Sequence, residues 1–421
     1  MRRITLFFTL ALAAILALPG LVGQLARSRH EALVGALAAS IEGARVSSSV
    51  FEPGWFTSRA IHQIAFDGPG SPALAEEPAD VGATRPPPTL IVDSRLAHGP
   101  WSGDGPALMS IRSELALMGS NGEVTNIPGE VLTRIGLTGN GESRFLSPGP
   151  SGDLRMGARR ASWEAADVRV AFADDARELA SEGSVGRLVL AGPAGELVLG
   201  GISLRAHSRR SEFGFWIGAS DAGIERAEVI GPDGGVISGA GLRLNGEIAE
   251  ADALVDFGLR LEAAAIDGGA VGQATVTAAL SGARIDAEQW GRYLEIRRTR
   301  ERGAGVDFAR LSRSGPRFVL EELDIVSRDG ALSATADLTL PADSRPRGPL
   351  TALGSAEGEG ALSVSPRLLA GLAQSGEGLR QVVELLLALG YLREDNGLYV
   401  GEFRLRRGLI TVNGMPFVLP R

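Results

Sequence analysis

From Val46 onward the chain alternates apolar and polar residues with a period of two, and this alternation restricts most of it to sheet. Val255, Phe257, Leu259 and Leu261 alternate with Asp256, Gly258 and Arg260; Leu332, Ala334, Ala336, Leu338 and Leu340 alternate with Ser333, Thr335, Asp337 and Thr339. Successive side chains of a strand point to opposite faces, so such runs are strands buried on one side. Shorter runs at 187–190, 196–199, 202–206, 213–217, 227–230 and 242–244 are separated by turns such as Gly192-Pro193-Ala194-Gly195 and Pro232-Asp233-Gly234-Gly235. Tight turns join antiparallel strands, whereas parallel pairs need long crossovers, so meanders are expected in place of βαβ units. The expected fold class is mainly β with a few helices (α+β): an N-terminal transmembrane helix followed by an elongated, curved antiparallel β-sheet.

Two later segments read as helices. The first, Ile285 to Thr299, has Asp286 as N-cap and carries Trp290, Tyr293, Leu294 and Ile296. The second, Pro366 to Leu392, has an apolar face through Leu368, Leu369, Leu372, Leu379, Val382, Val383, Leu386 and Leu389, with a break at Gly376 and Gly378. It is expected to pack on the sheet.

At the N-terminus, Arg2 and Arg3 precede Ile4 to Ala26, 23 residues without a formal charge. About 20 apolar residues cross a bilayer as a helix. A cleaved signal peptide is the competing reading, but the small-residue triplet Ala11-Leu12-Ala13 lies deep inside the apolar run, and Leu21, Val22 and Leu25 continue it past Pro19-Gly20. The expected organisation is a transmembrane anchor at 1–26, a juxtamembrane helix at 27–45 and a β-rich domain at 46–421, with possible sub-boundaries near 148–152 and 341–360. Basic residues on the near side place the N-terminus in the cytoplasm and the domain in the periplasm, a single-pass arrangement in the bacterial inner membrane.

Composition then removes whole classes of chemistry. With no cysteine there are no disulfides, thiolate metal sites or cysteine nucleophiles. All 42 basic residues are Arg, so neither a P-loop nor a lysine Schiff base can be built. The net charge of −8 gives no basic footprint for nucleic acid. His30, His62, His98 and His207 lie outside metal-ligand spacing of one another, and neither a dinucleotide fingerprint nor a Gly-x-Ser-x-Gly elbow occurs. Asp174-Asp175 and Glu321-Glu322 read as solvated faces. No catalytic residue, cofactor or metal is expected, and the chain is read as a non-enzyme.

Some motifs carry a likeness. Pro53-Gly54-Trp55-Phe56-Thr57-Ser58 between two strand-like runs, then Leu96-Ala97-His98-Gly99-Pro100 after another strand, resemble the opening of the YdgA-like family of bacterial envelope proteins. The segment from Leu389 to Gly397, followed by Thr411-Val412-Asn413-Gly414-Met415-Pro416, is similar to that family's closing helix, loop and hairpin. The likeness implies a bitopic inner-membrane protein with a periplasmic domain and supplies no catalytic residues. Read physically, Gly54 forms a turn or bulge that lets Trp55 and Phe56 fill the first layer of the sheet. His98 hydrogen-bonds a loop carbonyl at a strand end, and Asn413-Gly414 makes a two-residue hairpin.

The working function is a module that binds lipid or another hydrophobic envelope component. Its candidate ligand face is Leu204, Val255, Phe257, Leu259, Leu332, Ala336 and Leu338, because few helices are available to cover the alternating strands. In layout this is similar to AsmA-like and bridge-like lipid transfer proteins. The alternative is a structural scaffold that forms a homo-oligomer or docks on an envelope protein. Membrane lipid is the expected partner, and the Arg297 to Arg302 cluster is a further candidate for contact with head groups.

Overall fold

The computed structural model describes residues 24, 27–32, 34–35, 38, 44–66, 87–98, 107–119, 122–156, 159–173, 176–268, 272–299, 305–342, 344–374, 377–406 and 408–417. The segment expected to cross the membrane (apart from Gln24), the pair Asp174-Asp175, and residues 300–302 of the Arg297 to Arg302 cluster lie outside these residues. Among the described residues no helix is long and apolar enough to cross a membrane. The chain divides into two compact units, Met1–Pro193 and Ala194–Arg421. The stretch 148–152 is a turn inside the first unit. The stretch 341–360 lies inside the second, where part of it folds as helix and strand.

The first unit is an antiparallel meander. Its strands β1 (Ala44–Glu52), β2 (Thr57–Phe66), β3 (Thr89–His98), β4 (Met109–Met118), β5 (Val124–Ile135) and β6 (Gly141–Ser147) each pair with the next. Then β8 (Arg159–Trp163) and β9 (Ala166–Ala173) follow one line, with β7 (Leu154–Met156) and β6 on one side and β10 (Glu178–Gly192) on the other. Side chains alternate along β2 as far as Ile64: Ser58, Ala60, His62 and Ile64 are buried while Arg59 faces out. Helical residues preceding β1 cover part of this face, with Val34 and Ala38 packed against Ile64, Leu90 and Val92. The strand β1 begins at Ala44, inside the segment 27–45 expected to hold the juxtamembrane helix. A second cluster gathers Ala60, Leu96, Met109, Ile111, Ile135 and Phe172.

The second unit is also a meander. It runs through β11 (Gly195–Arg210), β12 (Trp216–Ile230), β13 (Val236–Ala251), β14 (Leu254–Asp267), β15 (Ala274–Asp286), β16 (Arg317–Ser327), β17 (Gly330–Thr339) and β18 (Glu357–Val364). The strand β20 (Leu398–Arg406) joins β18 and is bordered on its other side by β19 (Arg393–Asp395) and β21 (Leu409–Val412), with β22 (Met415–Pro416) beyond β21. Helices interrupt it: α1 (Ala287–Thr299), α2 (Phe308–Arg313), α3 (Pro349–Ser355), α4 (Pro366–Gln374) and α5 (Glu377–Ala388). As expected, Asp286 caps α1, its Oδ1 accepting from the Gln289 N–H at 3.0 Å; α4 and α5 lie on either side of the expected break, whose Gly376 is outside the described residues.

Candidate functional site

Register places all seven candidate residues on one face of the second unit's sheet. One row of directly opposed residues runs Leu204, Ala222, Leu244, Leu261, Ala278, Leu323, Ala334, Leu362. The adjacent row runs Gly246, Leu259, Leu280, Leu320, Ala336, Gly360, Phe403. A bulge in β16 keeps both Leu320 and Leu323 on this face by absorbing Glu321 and Glu322. Those two carboxylates lie on the opposite, polar face, where Glu321 accepts from the Ser281 hydroxyl at 2.6 Å and Glu322 pairs with Arg260 at 3.3 Å. That face holds a shallow cavity of about 540 Å³ bordered by Arg205, Asp221, Glu247, Arg260 and Glu321.

Helices cover the apolar face at its two ends. At one end Phe215, Ile217, Val255, Ile285 and Ala287 form a buried cluster, against which Phe257, Trp290 and Phe318 pack. The Phe257 and Trp290 rings are stacked at 5.8 Å, and a side chain at Gly282 would collide with the Phe257 ring. At the other end Val364, Leu368, Leu369 and Leu392 form a cluster that also takes in Leu332 and Leu362. Between these ends Leu204, Leu244, Leu259, Leu261 and Leu280 are each about 40% exposed. The expected open face is therefore narrower than its residue list. Leu204 and Leu259 lie in the open strip, whereas Val255 is fully buried and Phe257 sits in the α1 cluster. Leu332 packs under α4 and α5, and Ala336 and Leu338 are half-buried.

The first unit holds groupings that spacing did not signal. His30 of the N-terminal helix and His62 of β2 meet in the interior with ring centroids 4.9 Å apart, and no ring nitrogen of either has a hydrogen-bond partner among the described residues. Burial, reinforced by the charge on His62, lowers the pKa of His30 to about 4. His98 is held by the Ser58 hydroxyl, at 3.0 Å from Nε2, and not by a loop carbonyl. Trp55 and Phe56 do not fill the sheet's first layer: both are more than half exposed at the β1–β2 turn. On the outer face Arg59, Arg95 and Arg112 stand directly opposite one another on β2, β3 and β4. A bidentate hydrogen bond from Arg59 to Asp93, at 2.6 and 3.0 Å, holds that carboxyl below the usual carboxylate range. No group of three or more metal-ligating side chains occurs among the described residues.

Two antiparallel meanders, each with one apolar and one charged face, define a β-rich protein built around broad sheet surfaces. The family follows from the sequence as a whole: the chain belongs to DUF945, a family of bacterial proteins of unknown function, whose pattern matches residues 4–420. No curated protein and no solved structure gives a match.

Proposed function

We propose that this is a non-enzymatic protein of the bacterial envelope, anchored in the inner membrane by Ile4 to Ala26, that holds an acyl chain on the open strip of its second unit. The observation that carries this reading is the group Leu204, Leu244, Leu259, Leu261 and Leu280, each left about 40% exposed on one apolar face. Single exposed leucines need no explanation, but a contiguous strip of them is the surface a ligand or partner covers. The strip extends from β11 to β15, four inter-strand spacings of about 4.8 Å, or roughly 19 Å. That length suits an extended hydrocarbon chain laid across the strands. The uncharged N-terminal run supports the anchor, and the motifs at both ends of the chain support a finer placement among YdgA-like proteins.

Photo-crosslinking tests the reading. Full-length protein in detergent is irradiated with a photoreactive fatty acid and compared with the double variant Leu259→Glu/Leu280→Glu. The expected result is labelling on β13 to β15 of the wild type and its loss in a variant that keeps its unfolding temperature. Equal labelling of both proteins, or of neither, overturns the acyl-chain reading and leaves the strip to a protein partner.

A further inference from the structure

One end of the first unit's sheet collects three large apolar side chains at turns. Strand direction alternates, so the β1–β2 turn and the β5–β6 turn at 136–140 lie at the same end. His98 pairs with Met109, Met109 with Ile135 and Ile135 with Gly141, and the His98 N–H donates to the Phe56 carbonyl at 2.9 Å. At this end Trp55, Phe56 and Leu137 are 54%, 58% and 66% exposed. The β1–β2 turn is built to present its aromatics outward. A Cβ on Gly54 would lie 1.9 Å from the Thr57 carbonyl oxygen, and the Gly54 N–H donates to the Ser58 hydroxyl at 3.3 Å.

Directly behind this tip stand the opposed arginines of the outer face. With Arg134 and Arg144 they border a cavity of about 1110 Å³ that Pro53 and Gly54 of the same turn also line. Like charges directly opposite on neighbouring strands repel. Asp93 offsets Arg59 and Glu130 offsets Arg112, at 2.6 and 3.0 Å, whereas Arg95 between them is in no salt bridge among the described residues. Arg95 shares the field of Asp93 with Arg59, but its guanidinium fork is in no salt bridge among the described residues and so suits a phosphate oxygen.

The path of the chain identifies what this end meets. The uncharged run stops at Ala26, and Arg27 lies 5.2 Å over the ring of Phe51, one residue before Glu52 closes β1. The helix continues from there along β2, with His30 beside His62 and Val34 and Ala38 beside Ile64. Its start is therefore at the Trp55–Phe56 end. A bilayer crossed by residues 4–26 would be left at the aromatic tip.

We infer that the β1–β2 tip is seated in the membrane interface, with Trp55, Phe56 and Leu137 at the boundary between head groups and acyl chains and Arg95, between Arg59 and Arg112, on the phosphate of an anionic phospholipid. Aromatic rings beside cations are the side chains that layer accepts. The inference rests on the reading that Ile4 to Ala26 spans the bilayer, and its test separates the two.

Because the chain has no cysteine, a single introduced cysteine takes an environment-sensitive fluorophore at one site. Full-length Phe56→Cys, Val124→Cys and Leu12→Cys are labelled and reconstituted in bilayers of phosphatidylethanolamine and phosphatidylglycerol carrying nitroxide lipids. Val124 is as exposed as Phe56 but lies at the opposite end of the sheet. The expected result is loss of Phe56 emission to shallow nitroxides, loss of Leu12 emission to deep ones, and no loss at Val124. Quenching at Leu12 without quenching at Phe56 overturns the seated tip and leaves the anchor standing; no quenching at Leu12 overturns both. In phosphatidylcholine alone the loss at Phe56 is expected to shrink, and Arg95→Gln to remove that dependence on anionic lipid. An unchanged dependence in Arg95→Gln overturns the phosphate contact.

Discussion

Both units lay antiparallel strands into a meander with one apolar and one charged face, yet they treat the apolar face differently. In the first unit that face carries polar residues in matched pairs: Ser94 with Ser113 at 2.8 Å, Thr133 with Ser143 at 2.7 Å and Ser58 with His98 at 3.0 Å. Polar atoms inside a covered face need partners, and these pairs supply them, whereas the ring of His62 and Nδ1 of His98 on the same face have none among the described residues. In the second unit the central row of the face is leucine and alanine, from Leu204 to Leu362, and the face is covered by helices at both ends and open between them. The comparison teaches that alternation assigns a residue to a face, while the return of a distant helix decides whether that face meets water.

The largest expected effect lies at a covered end. Phe257→Glu puts a charge between the Trp290 ring at 5.8 Å and the Phe318 ring at 6.5 Å. A buried charge without a partner belongs to the substitutions that cost about 4 kcal/mol or more, so urea unfolding should show the second unit largely lost. This variant therefore reports on packing and cannot report on ligand.

An intermediate effect should distinguish the units by pH. The folded-state pKa of His30 lies at about 4, below its ordinary value of 6.5, because burial disfavours the imidazolium. The unfolded chain therefore binds more protons between these values. Stability from the neutral ring is present above pH 6.5 and is lost as pH falls toward 4. At about 1.4 kcal/mol per unit, the loss is on the order of 3 kcal/mol. Burial lowers His62 in the same direction. No buried histidine lies among the described residues of the second unit, so this source of pH dependence belongs to the first. His30→Leu should flatten the pH dependence of the first unit's transition, and an unaltered slope would place its origin elsewhere.

The smallest effect should come from the open strip. Leu259→Glu, two residues from Phe257 on the same face, is expected to change unfolding free energy by less than about 1 kcal/mol, since a surface site loses little burial. A cost comparable to that of Phe257→Glu would mean that the strip is covered in solution.

Much of this was legible in the sequence. Period two located β14 and β17, Asp286 marked the start of α1, and Asn413-Gly414 gave a two-residue turn with both φ angles positive, 51° and 80°. Other features depended on distance. Residues 204, 259 and 280 share a strip only through the register of intervening strands, which local pattern does not state. The closing of Phe257 under Trp290 requires α1 to fold back on β14, and nothing near Phe257 signals it. Trp55 and Phe56 were misread for a general reason: aromatics flanking strands are commonly core, and their exposure follows from the geometry of the turn at Gly54. His30 and His62, 32 positions apart, meet only because a helix lies on β2.

The succession of hairpins from β11 to β15 also bears on how such a molecule can change size. Among the described residues each strand from β12 to β15 is bonded only to its neighbours in the chain, so its energetics approach those of a linear array in which interface energies add. Excising one strand would reverse the direction of everything after it. Excising a hairpin preserves direction and the facing of every side chain, and shortens the strip by two inter-strand spacings, about 10 Å. The second unit is thus expected to lengthen or contract in steps of a hairpin, with the hydrocarbon length it accommodates following in the same steps.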